Sequence, residues 1–123
     1  MIKLKLNPAR KKSLKELEGI INYKFKDIGL LNRALTHSSY ANENKVANNE
    51  NNERLEFLGD VVISLIVSEY IFKRYSDLPE GELTKKRSSV VCESSFAYAA
   101  RNLNLGKFFL LGKGEDSTGG RER

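Results

Sequence analysis

Asn52-Glu53-Arg54-Leu55-Glu56-Phe57-Leu58-Gly59-Asp60 puts three carboxylates at the head of a strongly apolar stretch. On a helix, Glu56 and Asp60 lie one turn apart on the same face, and Glu53 lies one turn before Glu56. The run continues as Val61-Val62-Ile63-Ser64-Leu65-Ile66-Val67, apolar on nearly every side. A helix apolar all round is expected to be buried. Carboxylates on a buried helix are costly unless something compensates them, and a divalent cation with oxygen ligands is one natural compensation. Gly59 costs about 1 kcal/mol against alanine in a helix interior, so it is read as permitting a close approach.

Working outward, the signature helix is expected to run from about Asn51 to Arg74. Ser76-Asp77-Leu78-Pro79-Glu80-Gly81 then breaks it. Upstream, Ser13-Leu14-Lys15-Glu16 reads as a capping box, with Leu14, Leu17, Ile20 and Ile21 forming one apolar stripe behind it. Asp27 is placed to cap a second helix carrying Ile28, Leu31, Ala34 and Leu35. The asparagine-rich residues 42–52 read as a polar loop. Downstream, helices are expected from about Gly81 to Val91 and from about Glu93 to Asn102. Phe108-Phe109-Leu110-Leu111 fits either a helical turn or a packed loop, and the glycines at 112, 114, 119 and 120 make the end a loop. No repeat and no strand-like alternation of useful length interrupts this pattern. The class is therefore all-α, with helices around one long buried central helix.

The 123 residues fit one domain with one core. No apolar run approaches the length that spans a bilayer, and Met1-Ile2-Lys3-Leu4-Lys5-Leu6 is not a secretory signal. A single cysteine cannot form an internal disulfide, which suits a reducing cytosol. The net charge of +5 is compatible with a polyanionic partner without specifying one. Its distribution is uneven. Residues 1–15 carry six basic residues and no acid, so residues 1–12 read as a basic N-terminal arm, and Lys85-Lys86-Arg87 forms a second cluster. For both clusters, a solvated face and a phosphate contact stay open as alternatives.

Several of these segments, in order, resemble the ribonuclease III family. Besides Asn52–Asp60, the resemblance is carried by Tyr23-Lys24-Phe25-Lys26-Asp27, Leu30-Leu31 and Ala34-Leu35-Thr36-His37-Ser38-Ser39-Tyr40. It continues through Glu80-Gly81-Glu82-Leu83-Thr84 and Gly119-Gly120-Arg121-Glu122, covering roughly residues 15 to 123. The resemblance implies a helical endonuclease domain that hydrolyses phosphodiesters of double-stranded RNA, leaving a 5′-phosphate and a 3′-hydroxyl. It further implies processing of ribosomal RNA precursors and other structured RNAs, a cytoplasmic setting and a homodimer. Magnesium is the implied cofactor, with manganese able to replace it. By the same resemblance Glu56 and Asp60 are metal ligands and catalytic residues. Glu53, Glu80 and Phe57 become candidate RNA or subunit contacts, with ordinary structural roles open for each. Phe57 either packs in the core or enters a partner's socket.

The lone His37 follows an apolar stripe and is flanked by Thr36, Ser38 and Ser39, so it is expected to be a packed, hydrogen-bonded residue at the end of the second helix. Cys92 is read as a small buried residue without a thiolate-stabilising arrangement. The family's site takes carboxylates from two helices, and the second, with an Asp-x-x-Glu pair, is expected beyond Gly119-Gly120-Arg121-Glu122. The chain is therefore expected to be a piece of a longer enzyme, holding half of the metal site and lacking the double-stranded-RNA-binding domain. The rival reading is a non-catalytic double-stranded-RNA-binding or dimerisation module of the same fold.

Overall fold

The computed structural model describes residues 5–123 as helices joined by turns, with no strand longer than an isolated bridge among them. Helix α1 spans Pro8–Ile21, α2 Ile28–Ala34, α3 Ser38–Glu43, α4 Glu53–Arg74, α5 Glu80–Val90, α6 Glu93–Asn102 and α7 Lys113–Ser117. Short 3₁₀ turns fall at Asn48–Glu50, Leu105–Phe108 and Gly120–Glu122.

Helix α1 starts one and a half turns earlier than the Ser13 capping box suggests. Asn7 is the true cap, its Oδ1 accepting from the Arg10 N–H at 2.7 Å, with Pro8 in the first turn. Both are strong start signals, since proline's fixed φ suits a position whose N–H has no helical partner. Residues 1–4 of the expected basic arm lie outside the described residues. Residues 8–12 are helical, not an arm, and the Arg10 Nε donates to Asn32 Oδ1 at 2.6 Å. Burial and repulsion from Arg121 pull the Arg10 pKa down, against an opposing influence from Tyr40; burial is the largest cause. Asp27 caps α2 as expected, its Oδ1 accepting from the Gly29 N–H at 3.0 Å.

The core is built from Leu14 and Leu17 of α1, Leu31 and Leu35 at α2, and Phe108 from the 105–108 turn. Leu14 and Phe108 are fully enclosed. The apolar run around residue 108 is thus both of the expected things, a helical turn through Phe108 and then an extended packed segment. Leu110 in that segment donates its N–H to Leu35 O at 2.8 Å and accepts from the His37 N–H at 3.0 Å. Gly106 lets this turn meet the chain end, because a Cβ there would run into the Arg121 carbonyl oxygen. Deleting the Phe108 ring should cost about 3–5 kcal/mol, through lost burial and the cavity left behind. Urea denaturation of Phe108→Ala checks this; an unchanged midpoint would show that the core lies elsewhere.

The long central helix is present with nearly the expected bounds, but it is not buried. Among the residues of α4 only Ile71 is buried, while Phe57 is 79%, Leu65 66% and Phe72 70% exposed. The physical reason is that α4 packs chiefly on α5 and leaves most of its other side chains open. Arg87 joins the two helices by donating from Nη1 to Ser68 Oγ at 3.1 Å. Nothing described covers the rest. Gly59 likewise has open space where a Cβ would stand, so the close approach expected there is absent.

A candidate carboxylate site on the fourth helix

What places Glu56 and Asp60 is the anchoring of the start of α4 to the core. Thr36, fully enclosed at the end of α2, accepts the Asn52 N–H on its carbonyl at 2.9 Å. Its hydroxyl is satisfied by Asn32 O at 2.6 Å. The Asn52 side chain adds a bond from Nδ2 to Ala34 O at 3.2 Å. Asn51 Oδ1 accepts the Glu53 N–H at 3.1 Å, and Asn52 O accepts the Glu56 N–H at 2.8 Å, opening the helical ladder. Asn51 and Asn52, read in the sequence as the end of a polar loop, are thus the residues that orient the carboxylate-bearing turn.

Glu56 and Asp60 both line one open cavity of about 800 Å³ between α4 and α6. Ser64, Cys92, Glu93, Phe96 and Arg123 also face it. Among the described residues neither Glu56 nor Asp60 forms an ion pair with a lysine or arginine, and Arg123 is paired with Glu115 instead. A polar helix end held by intramolecular salt bridges is therefore not what this turn is. Two unpaired carboxylates, one turn apart, suit a hard cation that keeps several waters. No set of three metal-ligating side chains is assembled among the described residues, so the pair would supply only part of a coordination shell.

The other candidates are dispersed. Glu53 lines a separate cavity of about 700 Å³ with Arg33, Asn49, Arg54, Phe57 and Leu58. Glu80 opens α5 and accepts the Thr84 hydroxyl at 2.9 Å. Phe57 is exposed and so is not core packing within this chain. In the Lys85-Lys86-Arg87 cluster, Lys85 pairs with Glu82 at the surface, Lys86 lies 4.3 Å from the Tyr75 ring centroid, and Arg87 reaches Ser68. His37 is hydrogen-bonded as expected, but as the cap of α3, a helix the polar composition of residues 38–43 had concealed. Its Nδ1 accepts the Ser39 N–H at 3.2 Å and lies 2.7 Å from Ser39 Oγ.

Cys92 departs from the sequence reading. It is only partly buried, at the start of α6, with Sγ 3.4 Å from Ser94 Oγ and 3.2 Å from Ser95 Oγ. Hydrogen bonds from Ser94, then Ser95, favour the thiolate and bring its pKa down to about 7. Since the thiolate is the nucleophile, the lowered value raises reactivity at neutral pH. Iodoacetamide labelling should reach half its maximal rate near pH 7, and the midpoint should rise when Ser94 and Ser95 are both alanine. A midpoint that ignores the two serines would show that their hydroxyls do not hold the sulfur.

The segment Gly119-Gly120-Arg121-Glu122 closes the structure against the core. Gly119 adopts φ +82°, a conformation glycine takes without strain. The Arg121 guanidinium clamps Asp116 with two bonds of 3.0 and 3.1 Å, and donates to the carbonyls of Gly106 and Phe109. Residues 112–123, read in the sequence as plain loop, are therefore an ordered turn-and-helix segment.

A family model for ribonuclease-III-like proteins matches residues 27–123. The chain belongs to the ribonuclease III family. It is 56% identical over 110 residues to ribonuclease 3 of Clostridium tetani, covering 89% of this chain and 46% of that protein. With ribonuclease 3 of Caldanaerobacter subterraneus it shares 57% identity over 109 residues, 87% of this chain and 46% of the relative. The chain thus spans about half the length of the curated relatives it matches. Among solved structures, the nuclease domain of ribonuclease III from Campylobacter jejuni superposes with a TM-score of 0.81 at 45% identity, over 89% of this chain and 73% of that one. That structure is described as showing flexibility in a region involved in dimer formation. A second structure of the same nuclease domain gives a TM-score of 0.80 at 46% identity, over 91% of this chain and 72% of that one. The all-α class follows from the helices and from these neighbours together.

Proposed function

We propose that the chain is the part of a double-stranded-RNA endonuclease that presents Glu56 and Asp60 to the scissile phosphodiester. The observation that carries this reading is the unpaired Glu56–Asp60 couple at one open cavity, on a chain of this family. Glu56 and Asp60 are the metal ligands and the catalytic residues of this proposal. A bound magnesium ion, replaceable by manganese, would supply Lewis acidity at the phosphate oxygens and a water of lowered pKa. The two carboxylates would hold the cation, and the Asn52–Thr36 anchor fixes the turn that bears them. The products are a 5′-phosphate and a 3′-hydroxyl. Precursors of ribosomal RNA and other structured RNAs in the cytoplasm are the proposed substrates.

Duplex RNA fits a site without base-reading motifs, because the A-form helix is recognised by shape, 2′-hydroxyls and phosphates. Glu53 and Phe57, which share one cavity, are proposed to face a partner subunit or RNA, and Glu80 to stand near the cleavage valley. Residues 1–123 belong in this proposal to the nuclease domain and supply half of its metal site. A two-fold pair would set one centre against each strand of a duplex.

The test is incubation of a long RNA duplex with a protein of the relatives' length carrying this sequence, with and without magnesium. Cleavage is expected only with the ion, and residues 1–123 alone should cut little or nothing. Cleavage that survives chelation would refute the metal mechanism. Duplex binding without any cleavage would favour a non-catalytic binding or dimerisation module.

A further inference from the structure

We draw no further inference here: the strongest candidate, the furrow between α4 and α6 that runs from Glu56 and Asp60 past Phe96, Ala97 and Ala100 to Arg123, belongs to the carboxylate site already described.

Discussion

Replacing Asp60 with asparagine, in a protein of the relatives' length, should cut the single-turnover rate on duplex RNA about a thousandfold, equivalent to about 4 kcal/mol of lost transition-state stabilisation. Duplex affinity should change by no more than about twofold, since binding rests on phosphate and 2′-hydroxyl contacts elsewhere. The asymmetry follows from geometry. Asp60 is exposed on α4, makes no described ion pair, and faces the open cavity with Glu56. Asparagine keeps the shape and removes the charge that a hard cation requires. Folding should be untouched, because no packed neighbour depends on that carboxylate. Rate and affinity falling together would make Asp60 a binding or folding residue, and the site would have to be sought elsewhere.

The second large effect concerns assembly. Phe57, Leu58, Val61, Val62, Leu65, Ile66, Tyr70 and Phe72 are all exposed along one helix. A continuous apolar surface of this kind is unusual for a monomer and marks an interaction face. The chain should therefore self-associate, with Phe57 buried at the contact. Burying a phenylalanine side chain contributes about 1.5–3 kcal/mol, and a two-fold contact buries one from each chain, so Phe57→Ala should weaken the dimer by about 3–6 kcal/mol, at least roughly 150-fold in Kd. Sedimentation equilibrium across a wide concentration range measures this. A folded chain that stays monomeric at all concentrations, with or without Phe57, would rule out the pairing.

Much of the fold was legible because its punctuation is local. Asp27 before an apolar stripe, and Ser76–Gly81 after a long one, act through the backbone of their own neighbours. The start of α2 and the bounds of α4, α5 and α6 therefore followed within a residue or two. The start of α1 was misjudged because two valid start signals compete, and Asn7-Pro8 prevails over Ser13-x-x-Glu16. Helices α3 and α7 were concealed because each is under two turns long and carries almost no apolar period. They form through contacts distant in sequence: Gly112 N–H to Ser39 Oγ at 2.9 Å, and Lys113 N–H to Glu43 Oε2 at 3.0 Å.

The burial of α4 failed for a different reason. An apolar pattern states what a helix face avoids, not which molecule covers it. The core around Phe108 and Leu14 is assembled from α1, α2 and the 105–108 turn. None of these follows from the signature segment alone. At the candidate site, the roles expected of Glu56 and Asp60 came from the family resemblance, since two carboxylates one turn apart are common on helices, whereas their anchoring through Asn52 to the enclosed Thr36 required the folded chain. Cys92 was misread because its two hydroxyl partners, Ser94 and Ser95, are ordinary residues in sequence and reach the sulfur only once α6 begins at Glu93.

The most direct test of the account is to locate a divalent cation on the chain itself. Manganese titrated into isotope-labelled residues 1–123 should broaden the backbone NMR signals around Glu56 and Asp60 first, and Asp60→Asn should abolish that local effect. Broadening centred on Glu80 or on Glu115 and Asp116 instead, or an unchanged pattern in Asp60→Asn, would contradict the assignment of the metal to the Glu56–Asp60 pair.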